Sequence, residues 1–86
     1  MASYRLLIKP SAAQELEATP RKDRQRIVVK IERLAANPRP RGCEKLSGEE
    51  KYRLRQGDYR VLYAIQDSST TVTIVKIGHR REVYRN

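Results

Sequence analysis

The sequence predicts an α+β fold, with two N-terminal helices packed on one face of a small antiparallel β-sheet. Two observations lead there. A helical apolar stripe, with cations on the opposite side, fills the segment after Pro20. From residue 51 onward the spacing changes to strand-like alternation, and it continues in successive runs to residue 77. Helical segments followed by consecutive strands stack the helices on one side of the sheet.

In chain order, Tyr4, Leu6 and Ile8 alternate with Arg5, Leu7 and Lys9, which predicts a first strand ended by Pro10. Ser11, with Gln14 three residues later, reads as a capping box opening a short helix to about Ala18. Thr19 then reads as the cap of a second helix, with Pro20 at its first position and Asn37-Pro38 as its stop near Ala36. Along that helix Ile27, Val28, Ile31, Leu34 and Ala35 form one apolar stripe. Arg21, Lys22, Arg24, Arg26, Lys30 and Arg33 occupy its other side, a solvated face or a docking surface for ribosomal RNA. Residues 38–42 form an irregular linker, and a short strand is expected near residues 44–46. A further strand spans about residues 71–77, after a turn at Asp67-Ser68-Ser69. Val83 and Tyr84 are expected to form a last extended segment.

The most informative stretch is KYRLRQGDYR, residues 51–60. Tyr52 and Leu54 alternate with Lys51, Arg53 and Arg55. A two-residue turn at Gly57-Asp58 then sets Arg55 opposite Arg60, Leu54 opposite Val61 and Tyr52 opposite Tyr63. Glycine at the first turn position suits a type II′ hairpin. A three-residue turn would pair Arg53 with Val61 and mix the two faces. Like charges opposite one another repel, so this cluster of cations requires an anionic partner.

With 86 residues the chain is expected to be one domain, 1–86, and its net charge is +9. The excess sits on the second helix, the hairpin region and the tail. A basic surface of that kind attracts polyanions, nucleic acid first among them. No apolar run is long enough to cross a bilayer, and the N-terminus shows no signal-peptide core, so no membrane partner is expected. The single cysteine, Cys43, rules out an internal disulfide and suits a reducing cytoplasm. Without a neighbouring base it reads as a structural thiol.

Conventional catalytic motifs are missing. No phosphate-cradling glycine loop is present, and one Cys and one His are too few for a four-ligand zinc site, so neither metal nor cofactor is expected. What remains is cationic and phenolic: Lys51, Arg53, Arg55, Arg60, His79, Arg80, Arg81, Tyr84 and Arg85. That set suits metal-free RNA cleavage, in which a ribose 2′-hydroxyl attacks the adjacent phosphodiester and charge grows on the phosphoryl oxygens. Preorganised cations stabilise that charge, and an arginine fork can hold two oxygens at once. Arginine is a poor base, which leaves Lys51, His79 or a tyrosine to take the proton. Tyr84 could stack on an unpaired base. Tyr52, Tyr59 and Tyr63 sit in strand patterns and read as core.

These residues resemble the RelE/ParE superfamily of bacterial toxins along nearly the whole chain. The resemblance is carried by KLSGEEKYRLRQGDYRVLYAI (residues 45–65) and VTIVKIGHRREVYR (residues 72–85). It implies the fold already described and, in the favoured RelE-like branch, a ribosome-dependent mRNA endoribonuclease that inhibits translation. The ParE-like alternative is a DNA gyrase inhibitor without nuclease activity, and a third option is a nonenzymatic RNA-binding module. Either toxin branch implies an acidic cognate antitoxin. By motif position Lys51 and Arg53 match basic residues around the attacking hydroxyl. Arg60 matches the arginine that stabilises the transition state, Arg80 the one near the leaving group, and Tyr84 the tyrosine that orients or stacks on substrate. Arg55, His79, Arg81 and Arg85 would bind RNA. Arg53 departs from the best-known pattern, which has lysine there. Because the chain stops two residues after Tyr84, the antitoxin is expected to cover the cationic face and not to displace a final helix.

Overall fold

Prolines shift the helix boundaries, while the alternation of the strands is kept. The computed structural model describes residues 3–46 and 50–83. Strand β1 (Arg5–Ile8) leads into helix α1 (Pro10–Ala18) and helix α2 (Arg21–Arg33). Then come β2 (Glu44–Lys45), β3 (Lys51–Gln56), β4 (Tyr59–Gln66), a 3-10 turn (Asp67–Ser69) and β5 (Thr71–His79).

Two expected caps are replaced by proline geometry. Pro10 opens α1, where its fixed φ and missing N–H are tolerated, and Lys9 at the cap makes no side-chain bond. Ser11 is thereby drawn inside the helix, so the capping box does not form. Thr19 closes α1 instead of opening α2, its hydroxyl donating to the Glu15 carbonyl at 2.8 Å. A residue before proline avoids the helical region, and Thr19 is extended (φ −75, ψ 140). Pro20 in turn stands at the cap of α2, one residue outside it. The far end of α2 tightens after Arg33. Leu34, Ala35 and Ala36 donate to Ile31, Glu32 and Arg33, three residues back in each case.

The sheet order is β1-β5-β4-β3-β2. β2, β3, β4 and β5 pair antiparallel, and β1 joins the far edge parallel to β5. The antiparallel expectation thus holds for the hairpin-connected strands. β1, separated from them by both helices, adds one parallel pair. A bulge at Val75 interrupts the β4–β5 ladder, because Leu62 faces Lys76 while Tyr63 faces Ile74. Beyond Ile8 the edge of β5 is uncovered, and Glu15 of α1 fills in: its carboxylate accepts from the Ile77 amide and from Lys76 Nζ, both at 3.0 Å.

One face of the sheet is the core. Tyr52, Leu54, Val61, Tyr63, Ile65, Val72, Ile74 and Ile77 pack against Ala12 of α1, Ile27 of α2 and Leu34 just beyond it. Val28, expected on the buried stripe, lies at its margin and is 36% exposed. The Tyr63 hydroxyl donates to the Pro38 carbonyl at 2.8 Å, which ties the linker to the core. Val83 does not extend. Its amide and that of Glu82 donate to the His79 carbonyl in a tight turn, and its side chain is buried against Gly78. Tyr84 lies outside the described residues.

Candidate nucleic-acid interface

The β3–β4 hairpin has the expected register: Tyr52 faces Tyr63, Leu54 faces Val61 and Arg55 faces Arg60. Gly57 has φ +57 and Asp58 is not left-handed, the signature of a type II′ turn. With Tyr52, Leu54, Val61 and Tyr63 committed to the core, Lys51, Arg53, Arg55 and Arg60 project from the opposite face. Arg53 and Arg60 are half-buried there, and Lys51 and Arg55 are exposed.

The Gly57-Asp58 turn gathers two of the predicted arginines. Arg60 Nη1 donates to the Gly57 and Tyr59 carbonyls, both at 2.9 Å, so the side chain lies along the turn. The Arg80 amide donates to the Asp58 carbonyl at 2.7 Å, and its Nε lies 3.8 Å from the Asp58 carboxylate. Among the described residues no carboxylate pairs with Arg60. At the other end of the strand, Lys51 is four residues from Arg55, about 13 Å along the backbone.

The other predicted residues stand differently. His79 faces Tyr59, which packs toward the core, so His79 projects to the face opposite Arg60. Its ring meets Tyr59 edge-on with centroids 5.7 Å apart, and Nδ1 accepts from the Arg81 amide at 3.2 Å. There it lines a cavity of about 510 Å³ with Glu15, Thr19, Tyr59 and Lys76, away from the arginine face. The Arg81 side chain is exposed, and Arg85 lies outside the described residues, as does Tyr84. Among the described residues no three His, Cys, Asp or Glu side chains gather into a metal-binding group.

Sequence reasoning missed Glu44. Strand β2 places it opposite Arg53, where Oε2 meets Arg53 Nη2 at 2.5 Å and Oε1 meets Arg55 Nη2 at 3.0 Å. The hydrogen bond from Arg53 holds its carboxyl below the usual carboxylate range against some desolvation, and the charges of Arg55 and Arg60 add to the effect. A two-residue strand has no pattern long enough to reveal such a register in advance.

An arginine-lined strand face beside a tail arginine invites comparison with known proteins. A family model described as ParE toxin of type II toxin-antitoxin system, parDE, matches residues 6–84. The chain belongs to this RelE/ParE superfamily of toxins. Within it, Toxin RelG of Mycobacterium tuberculosis (strain ATCC 25618 / H37Rv) is 52% identical over 31 residues. That match spans 36% of either protein, so it reaches only about a third of the relative's length.

Solved structures of RelE toxins share the fold. The toxin-antitoxin complex RelBE2 from Mycobacterium tuberculosis matches with TM-score 0.78 and 30% identity, covering 91% of this chain and 99% of that one. The archaeal RelE-RelB complex from Pyrococcus horikoshii OT3 matches at 0.80 with 27% identity, covering 93% and 98%. The intact E. coli RelBE complex, 22% identical with TM-score 0.78 over 90% and 96% of the chains, supports the fold alone. The chain therefore has a RelE-like fold and belongs to a family of type II toxins.

Proposed function

We propose that this toxin is a ribosome-dependent, metal-independent mRNA endoribonuclease. The observation that supports this most is the convergence of Arg53, Arg55 and Arg60 on one sheet face, with Arg60 and Arg80 held to the same hairpin turn. In the proposed step the ribose 2′-oxygen forms a bond to phosphorus while the bond from phosphorus to the 5′-oxygen breaks. Arg60 and Arg53 carry the charge that grows on the phosphoryl oxygens, and Arg80 carries that on the departing 5′-oxygen, which then takes a proton from water. His79 projects to the other face, which favours Lys51 over it as the base that removes the 2′-proton. Tyr84 stacks on a neighbouring nucleobase, and Arg55, Arg81 and Arg85 bind flanking phosphates.

An acidic cognate antitoxin is proposed to neutralise the toxin by covering this face. Two RelE structures that resemble the chain are complexes with their antitoxins, which is the support for such a partner. Purified ribosomes programmed with message, read by primer extension, test the activity. Wild type should cut, and an Arg60→Ala, Arg80→Ala double variant should not. Undiminished cutting by that variant overturns the residue assignment.

The second reading, a gyrase inhibitor, is favoured by one observation: the matching family model is the ParE one. Inhibition of gyrase supercoiling with messages left intact would select it. The arginines would then form a protein-binding surface.

A further inference from the structure

The cationic face holds an anion of its own. The two oxygens of Glu44 divide between the guanidinium groups of Arg53 and Arg55, and Arg60 lies near enough to lower its pKa further. A carboxylate and a phosphodiester each present a pair of anionic oxygens to such forks. Glu44 therefore stands where a phosphate of a bound strand would make the same contacts.

We propose that Glu44 is a specificity-determining residue, an internal stand-in for phosphate that RNA must displace from Arg53 and Arg55. The inference rests on the reading of this face as a phosphate site. Three features support it. Glu44 belongs to an edge strand of only two residues, so moving it disturbs little of the ladder. Its side chain is 45% exposed, so a bound strand can reach the carboxylate from solvent. Its lowered pKa keeps it ionised at neutral pH, so the competitor is always present.

The consequence is selection among anions. An isolated phosphate replaces one anion with another and gains little. A strand whose successive phosphates also reach Arg60 and Arg80 gains contacts that Glu44 does not make. The resident carboxylate thus weakens binding of small or poorly placed anions and favours a ligand that engages the whole face.

The test is fluorescence anisotropy with a labelled single-stranded oligoribonucleotide and no ribosome, repeated over a salt series. Wild type is compared with Glu44→Gln and with Glu17→Gln, an exposed α1 carboxylate whose removal changes net charge equally. Glu44→Gln is expected to bind about tenfold tighter at low salt, because Arg53 and Arg55 then meet phosphate without a carboxylate having to leave first. Glu17→Gln should change affinity by no more than about twofold, the general effect of net charge. Glu44→Asp, too short to span both arginines, should fall between. Thermal unfolding of each variant verifies the fold. Equal affinities for the two Gln variants, or weaker binding by Glu44→Gln, would overturn the proposal and reduce Glu44 to a prop for β2. Failure of wild type and every variant to bind at low salt would instead refute the phosphate-site reading, and this inference with it.

Discussion

Arg60 is aimed by two carbonyl oxygens of the turn it follows. Because Nη1 is engaged by Gly57 and Tyr59, the rest of the planar fork is presented in a set direction. Lysine keeps the charge but cannot hold those carbonyls and a phosphate in the same planar geometry. Arg60→Lys should therefore lower single-turnover cleavage on programmed ribosomes by about 100-fold, the usual cost of losing a preorganised donor. Tyr63 offers a contrasting case in the core, where burial and then the neighbouring Cys43 push its phenol pKa upward and the hydroxyl donates to the Pro38 carbonyl. Tyr63→Phe should cost about 1 kcal/mol in urea unfolding, the typical net worth of one hydrogen bond. Its cleavage activity should be unchanged.

The β3–β4 hairpin is the element on which the site depends. Its alternation was readable to the level of register, since a one-residue slip would drive arginines into the core. The turn was equally legible, because a left-handed φ at its first position favours glycine. Gly57→Ala should destabilise the protein by about 1 kcal/mol, measured as a lower urea midpoint at unchanged slope. Helix ends were less legible. Ser11 and Thr19 have the chemistry of caps, yet each stands beside a proline whose backbone constraint sets the boundary. A fixed dihedral outweighs a single exposed hydrogen bond.

Across the molecule, one arginine clasps distant segments. Arg39 donates to both Asp67 oxygens and to the Tyr52 hydroxyl, while Tyr4 donates to Asp67 at 2.6 Å. The linker, the residue just before β1, strand β3 and the 3-10 turn after β4 meet there. The bond from Arg39, then that from Tyr4, holds Asp67 below its ordinary 3.8. Lys45, then Tyr52, holds Glu50 below 4.5. Carboxylates depressed in the folded state contribute stability above their unfolded pKa and lose it as pH falls through the folded value. Denaturant unfolding should thus show a plateau near neutrality and a decline below these ordinary values. Asp67→Asn should flatten part of that decline while lowering the plateau. An acid branch identical to wild type would remove the clasp from the account.

The strand faces, the hairpin turn and the cationic composition of the site follow from short-range rules: side-chain alternation, turn dihedrals and the exclusion of charge from a core. Those rules act within a few residues, so a single chain exposes them. Long-range packing set the rest. It placed β1 parallel at the edge, turned His79 away from Arg60, brought Arg80 to the hairpin turn and laid Glu44 across two arginines. Each of these depends on which distant segments meet and in what register, and strands as short as β2 carry no periodic signal that could announce it.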